Sequence, residues 1–410
     1  MSMAVSVLFF FAALAVKQDQ TALRSGCDAT AEVIATLPAG TPVEIRFRLS
    51  DGSDCFKVSA TLDGKDVMGY VPASKLVGLE QFEQGRTSAA SADTIRDLRP
   101  MEAASQKLIA RTGDPTLDRA SQLLAANQPA QALELLEAAT KRHHLDPNLL
   151  LLTGLAAYRS DQLREALDYW KQSLDLAPND ALARIYERVR READSDHSGE
   201  KLVGMHIALR YEGEALPSDT ARAILSTLDE DYSRISTQLG CSSEERIVAI
   251  VQSRDAYLRS TGAAEWSGGE YDGRIHIAWT EGKQVGPQMR RALAHELVHA
   301  CLTSIPSGSS PWPAWLQEGL AQKLSGDQLS QTSRDQLRQL AAAHQIPRLE
   351  ALRQNWSQLS IQNARLAYEL ALAAADALYE NYSNIGIRNV VNNPQSLPQV
   401  TAELDRKLGL

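Results

Sequence analysis

The chain has 410 residues, of which 44% are hydrophobic and 23% are charged, with 24 glycines and 16 prolines. This composition excludes a collagen-like chain, a wholly disordered chain and a polytopic membrane protein. The 42 basic and 51 acidic side chains leave a net charge of -9, which argues against nucleic acid as a partner. At about 150 residues per domain, the length predicts two to four domains.

The first apolar segment is residues 4–16, AVSVLFFFAALAV. It is shorter than the roughly 20 residues that span a bilayer as a helix, and Ala13-Leu14-Ala15 matches the small-x-small pattern of a cleavage site. We therefore predict a signal peptide over residues 1–16, export of the chain, and no transmembrane span in the mature chain. No Lys or Arg precedes the segment, so a buried N-terminal strand or an uncleaved anchor is the alternative.

The predicted export bears on the four cysteines, because an oxidising compartment lets cysteines form disulfides. Cys27 and Cys55 lie within one N-terminal segment, and Cys241 and Cys301 lie within the C-terminal half. One bridge in each region is the simplest of the three possible connectivities. Four buried free thiols are the alternative.

Residues 20–80 contain short β-type runs separated by turns such as Asp51-Gly52 and Asp63-Gly64, which predicts a small all-β barrel. The stretch from Leu37 to Val43 and the sequence Gly69-Tyr70-Val71 resemble a bacterial SH3-like domain. The resemblance implies a cell-wall or peptide ligand and, with export, a periplasmic or secreted protein of the bacterial envelope. A module with a purely structural role is the alternative.

Residues 81–117 mix Gln, Ser, Ala and charged residues and are predicted to form a linker with some helix. In residues 118–195, QALELL recurs 34 residues later as EALDYW. This is the period of the tetratricopeptide repeat, which the second copy resembles in Gly154, Ala166, Trp170 and Pro178. The resemblance implies helical hairpins, capped by helices at 103–112 and 181–193, that bind a protein partner or act as a spacer.

From residue 199 onward the pattern predicts strands at 205–211, 246–251 and 274–278 and a helix at 218–239, with helices after residue 286. Strands followed by helices predict an α+β domain over residues 199–410 rather than a doubly wound sheet. The chain as a whole is thus predicted to be multidomain, with a small all-β barrel, α-helical hairpins and an α+β domain.

One motif in this last domain indicates chemistry. His295-Glu296-Leu297-Val298-His299 is an H-E-x-x-H sequence within a segment of strong helix formers. Residues four apart lie on one face of a helix, so His295 and His299 can bind one cation while Glu296 reaches a water molecule beside it. A catalytic zinc site needs a third protein ligand.

A second helix, predicted from Ala314 after the turn IPSGSSPWP, places Glu318 with 18 residues between it and His299. H-E-x-x-H-x18-E, with W-L-x-E-G-x-A around the last Glu, resembles the gluzincin metallopeptidases, in particular the peptidase MA group related to the M1 aminopeptidases. The resemblance implies one Zn²⁺ per chain bound by His295, His299 and Glu318, with Glu296 as the general base that hydrolyses a peptide or protein substrate. A surface or core helix with satisfied polar side chains is the alternative.

The resemblance also implies a tyrosine that stabilises the oxyanion, and Tyr368 occupies the comparable place. The Lys and Gly of the family's Y-x-K-G motif are replaced by Leu370 and Ala371, so packing on an apolar face is the alternative for Tyr368. Substrate would pair with a sheet edge that includes Gly268, Gly269 and Tyr271. The amine-binding G-x-M-E-N motif of the aminopeptidases is absent from the sequence, so aminopeptidase specificity is not predicted.

The chain is therefore predicted to be a zinc metallopeptidase with an SH3-like domain and tetratricopeptide-like repeats. Two other functions fit the same residues. One is a scaffold protein of the envelope whose peptidase fold is silent and whose helical repeats and SH3-like domain bind partners. The other is a zinc amidase that acts on a cell-wall component.

Overall fold

The computed structural model describes residues 15–26, 30–48, 55–62, 64–77, 115–142, 146–195, 199–261, 268–279, 285–305, 312–353, 356 and 361–410. These residues form two compact units, 15–77 and 115–410. Most of the predicted signal peptide and linker, and the predicted helix at 103–112, lie outside the described residues. No helix in the described part of the chain is long and apolar enough to cross a membrane.

The N-terminal unit is built from β-strands. They are β1 (Ala15–Val16), β2 (Thr21–Arg24), β3 (Val33–Leu37), β4 (Glu44–Arg48), β5 (Cys55–Leu62), β6 (Lys65–Pro72) and β7 (Leu76–Val77). Five of them form an antiparallel sheet in the order β3-β2-β6-β5-β4, and β1 pairs with β7. Val16, which the sequence prediction assigned to the signal peptide, is buried in the core of this unit with Leu23 and Phe56.

The second unit begins with helices that pack in sequence order. They are α1 (Pro115–Ala125), α2 (Pro129–Thr140), α3 (Pro147–Arg159), α4 (Leu163–Leu176) and α5 (Asp180–Ser195). Gly154 allows α3 and α4 to pack closely, because a Cβ there would lie 2.4 Å from the indole of Trp170. That indole donates a hydrogen bond to the carbonyl of Leu151 at 3.1 Å. We call α1 to α5 the helical region.

A mixed five-stranded sheet follows, in the order β11-β12-β10-β9-β8. Its elements are β8 (Gly199–Val203), β9 (Ile207–Glu212), α6 (Ser218–Leu239), β10 (Ile247–Ser253), α7 (Arg254–Thr261), β11 (Gly269–Tyr271) and β12 (Ile275–Trp279). Neighbours among β9, β10 and β12 are parallel, whereas β8 and β11 pair antiparallel at the two edges. Helix α6 ends where Gly240 adopts a φ of 80°, a left-handed conformation that glycine reaches without strain.

The remaining residues are helical. The elements are α8 (Pro287–Ser304), α9 (Ala314–Ser325), α10 (Gln331–Ala342), α11 (Ile361–Asn381), α12 (Asn384–Asn392) and α13 (Leu397–Leu408). Alternate strand residues such as Leu209, Val251 and Ile277 belong to one hydrophobic core with Leu297 of α8 and Leu320 of α9. The sheet thereby supports the helices that carry the predicted site.

The opposite face of the sheet carries the other alternate residues. There, α7 packs on β10 and β12, and the hydroxyl of Ser260 donates a hydrogen bond to the Gln252 side chain at 2.9 Å. Helix α5 of the helical region packs on α7. The coarser prediction, a multidomain chain with mixed α and β structure, is thus confirmed, and three elements are added to it: β8, α7 and β11.

Candidate metal centre

The first predicted ligand pair lies on α8. Gly286 precedes this helix and Pro287 occupies its first turn, where a proline costs no hydrogen bond. Leu293, Leu297 and Cys301 are buried in the core, because they share one face of the helix. His295 and His299 lie one turn apart away from that face, and their side chains keep 23% and 15% of their surface exposed. The hydrophobic pattern of the helix therefore orients both imidazoles.

The third predicted ligand lies on α9. Pro313 precedes the helix, and Trp315, Leu316 and Leu320 are buried. Gly319, next to Glu318, brings α9 against α11: a Cβ there would lie 2.4 Å from the carbonyl oxygen of Ala371. A larger side chain would push the two helices apart and move Glu318. Gly319 therefore helps to position Glu318.

The three side chains meet at one point. The Nε2 atoms of His295 and His299 are 3.2 Å apart, and Glu318 lies 3.3 Å from His295 Nε2 and 3.7 Å from His299 Nε2. Ligand atoms about 2.05 Å from a tetrahedral zinc are separated by about 3.3 Å, so these distances fit a single zinc ion. Among the described residues this is the one group of three or more His, Cys, Asp or Glu that could hold a metal ion. We call it the ligand cluster.

The charges in the ligand cluster act strongly on one another. Burial lowers the pKa of His295, but its hydrogen bond to Glu318 and the charges of Glu296 and Glu318 outweigh this effect and raise the pKa to about 9. Burial lowers the pKa of His299 to about 4. Burial raises the pKa of Glu318, but His299 and His295 outweigh it and hold the pKa below its usual value. Such opposed shifts within a few ångströms are typical of functional sites.

Glu296 is 7% exposed and lies beside the edge of the sheet. A Cβ on Gly269 would lie 2.9 Å from both Cγ and Oε1 of Glu296, so the glycine of β11 touches this side chain. The sequence prediction placed Gly268, Gly269 and Tyr271 at a sheet edge. In the structure, Gly269 to Tyr271 form the outer strand β11, which pairs antiparallel with β12. Gly268 is exposed, and Gly269 and Tyr271 are half-buried.

Tyr368 lies on α11, the helix that packs on α9. Its ring meets Trp356 edge to face at a centroid distance of 4.9 Å. Its carbonyl accepts a hydrogen bond of 3.0 Å from Gln322, one turn beyond Glu318. The second contact ties the backbone of Tyr368 to the helix that carries Glu318, and the role of the tyrosine toward an oxyanion stays a prediction.

A disulfide joins Cys241 and Cys301 across 60 residues of sequence. It ties the end of α8 to the loop after α6. In the same loop, Glu245 accepts hydrogen bonds of 2.8 and 2.9 Å from the amides of Ala130 and Gln131 at the start of α2.

Cys55 is also disulfide-bonded, and its predicted partner Cys27 lies outside the described residues.

The sequence prediction missed a second charged group, on the other face of the sheet. Arginines and carboxylates from the helical region and the strands meet there in buried ion pairs of 2.8 to 3.9 Å. We call it the ionic network; its members are Asp161, Arg188, Glu192, Arg210, Glu270, Asp272 and Arg274. His276 is 2% exposed and lies 3.3 Å from Asp272. The alternating pattern of the strands did not indicate that these charged side chains are buried, because charged residues on strands usually face solvent.

Comparison with models of protein families, with curated proteins and with solved structures finds no match to this chain.

Proposed function

We propose that the chain is a zinc-dependent metallopeptidase with His295, His299 and Glu318 as metal ligands and Glu296 as general base. The observation that carries the proposal is the meeting of three ligand atoms, two from α8 and one from α9, at separations that fit one tetrahedral ion. Two imidazoles and one carboxylate form the donor set of many hydrolytic zinc sites, which leave one position open.

Zinc in such a site activates a water molecule and polarises a carbonyl group. The chain's own residues supply the rest of the chemistry. Glu296 follows His295 directly, and its carboxylate accepts the proton of the attacking water and passes it to the leaving amine. Its low exposure reduces competition from solvent. Tyr368 is the proposed donor to the developing oxyanion.

The substrate main chain is proposed to pair with β11, the outer strand of the sheet. Gly269 brings this strand against Glu296, so an extended peptide beside β11 would run past the general base. Gly268 and Tyr271 flank the contact and are proposed to bind the same segment. An edge strand selects for extended backbone rather than for one side chain, which favours unstructured protein as substrate.

The finer domain assignments belong to the same proposal. The antiparallel strands of residues 15–77 support an SH3-like domain. Helices α2 and α4 start about 34 residues apart, which supports tetratricopeptide-like hairpins. The disulfide between Cys241 and Cys301 supports export to an oxidising compartment, periplasmic or extracellular.

The test is incubation of the full chain with an unstructured protein at neutral pH, with and without a chelator, followed by zinc add-back. We expect cleavage that the chelator stops and zinc restores. Glu296→Ala should reduce cleavage about 10²- to 10⁴-fold. A scaffold protein would give no cleavage in any arm. A cell-wall amidase would leave the protein intact and release amine from cell-wall material in a zinc-dependent way.

A further inference from the structure

The edge strand β11 presents two different faces. Glu270 is 9% exposed and points toward the helical region, whereas its neighbours Gly269 and Tyr271 point toward α8, because successive strand residues alternate. Glu270 pairs in register with His276, which pairs with Ile250, which pairs with Arg210. A row of residues on the helical side of the sheet therefore ends at the edge strand.

Arg188 of α5 contacts this end of the row. Its guanidinium lies 3.0 Å from the Asp272 carboxylate and 3.9 Å from the Glu270 carboxylate. It also lies 3.3 Å from the hydroxyl of Tyr158, which donates to Asp272. Asp272 follows β11 directly in sequence, so one side chain of the helical region contacts the strand and the residue after it.

The other face of β11 rests on Glu296 through Gly269. The strand therefore lies between two groups, Arg188 on one side and the proposed general base on the other. The guanidinium is a planar fork of donors: one nitrogen donates a hydrogen bond to Asp272, and the other lies 3.9 Å from Glu270, an arrangement that the compact ammonium of a lysine does not reproduce. Loss of this fork would remove one of the contacts that hold β11 against the helical region.

We propose that the helical region positions the active site within its own chain, and that Arg188 is the positioning residue. It sets the position of β11, and β11 sets where an extended substrate lies relative to Glu296. The inference rests on the proposed peptidase function and adds that the helical region acts on the catalytic part in cis. Arg188 contacts Glu270 and Asp272, whereas Glu296 contacts Gly269, so Arg188 acts through the strand.

Arg210 provides a matched control. It is also a buried arginine of the ionic network, 5% exposed, and it binds Glu192 at 2.9 Å and Asp161 at 2.8 Å. It lies on β9, however, which β10 and β12 separate from β11. Removal of either arginine takes one partner from a buried carboxylate and lowers stability, but of the two it is Arg188 that lies beside Glu270 of the edge strand.

The experiment compares the full-length wild-type chain with Arg188→Met, Arg188→Lys and Arg210→Met. It measures hydrogen exchange of the amides in residues 268–279, kcat and KM on an unstructured protein, and zinc per chain. For Arg188→Met we expect about tenfold faster exchange in this segment and a KM raised about tenfold, with kcat changed less and zinc unchanged. Arg188→Lys should recover part of both effects. Arg210→Met should lower the melting temperature and leave KM and the exchange of residues 268–279 near the wild-type values.

Equal exchange and equal KM in Arg188→Met and Arg210→Met would overturn the inference. If the wild-type chain cleaves nothing, the proposed function fails, and the exchange rates alone decide whether Arg188 holds β11. If Arg188→Met does not fold, Tyr158→Phe replaces it, because it removes the hydroxyl that contacts Arg188 and Asp272. Unchanged exchange in Tyr158→Phe would then count against the inference.

Discussion

The ligand cluster and the ionic network lie on opposite faces of one sheet. They differ in how their charged side chains are paired and buried. In the network, arginines meet carboxylates in pairs that are almost fully buried. In the ligand cluster, Glu318 meets two imidazoles, and all three side chains keep 15 to 23% of their surface exposed. Buried ion pairs join parts of a fold, whereas two partly exposed imidazoles and a carboxylate are side chains that can bind a cation.

The comparison predicts different consequences when each region is changed. Changes in the ligand cluster should alter chemistry and leave stability almost unchanged. Changes in the ionic network should alter stability first. Of the four predictions that follow, three test this division and one tests the disulfide; they begin with the largest effect.

Glu296→Gln should reduce kcat/KM on an unstructured protein about 10³-fold, because the amide cannot accept the proton of the attacking water. Stability should change by less than about 1 kcal/mol, since the replacement keeps the shape of the side chain. Cleavage kinetics and chemical denaturation provide the two measurements. Glu350→Gln, on an exposed side chain, is the control and should match the wild-type chain in both. Cleavage by Glu296→Gln at the wild-type rate would remove the general base from the account.

Removal of the disulfide by Cys241→Ala with Cys301→Ala should lower the free energy of unfolding by about 4 kcal/mol, the chain-entropy estimate for a closed loop of this length. The loop spans 60 residues. It also carries Glu245, so both α8 and the start of α2 should loosen. Denaturant unfolding of the double variant measures the effect. A loss below about 1 kcal/mol would mean that packing of the two cysteines, rather than the bond, holds the loop.

Gly269 lies between the ligand cluster and the ionic network, and Gly269→Ala tests its contact with Glu296. Its Cβ would lie 2.9 Å from Glu296 and should displace that carboxylate, with a fall in kcat of about 10- to 100-fold. Gly286→Ala is the control, because a Cβ there also meets nothing within 4 Å and the residue is not part of the proposed substrate edge. Steady-state kinetics of the pair is the measurement. Equal kcat values for the two variants would show that β11 does not set the position of Glu296.

Acid should act on the ionic network. Burial alone would raise the pKa of Asp272, but His276, Arg188 and Arg274 outweigh it and hold the pKa well below its usual value. A carboxyl group with a lowered pKa in the folded chain adds stability above the pKa of the unfolded chain, about 3.9, and loses it as the pH falls further. The melting temperature of the wild-type chain should therefore fall more steeply below about pH 4 than that of Asp272→Asn. Parallel curves would contradict the assignment.

The sequence predicted the local parts of this molecule well. The predicted helix at 218–239 matches α6, because apolar periodicity and the following Gly240 are local signals. His295 and His299 could be selected as candidates because they share a helix face, which is a local feature. Glu318 was added because the spacing to it resembles that of a known family.

The ionic network could not be predicted in the same way. Arg188 and Asp272 lie 84 residues apart, and nothing in either local pattern indicates the pairing. His276 alternates with isoleucines, a pattern that a strand with one solvated face also gives. The edge strand β11 has three residues, too few for a periodic signal. Burial of charge against a distant helix is a tertiary property, and only the folded chain reveals it.

Zinc per chain tests the central claim most directly. Elemental analysis of the full chain, purified without chelator, should give about one zinc per chain, and His299→Ala should give almost none. The exposed His344→Ala should retain the wild-type content. Wild-type protein without zinc, or His299→Ala with as much zinc as the wild type, would contradict the account.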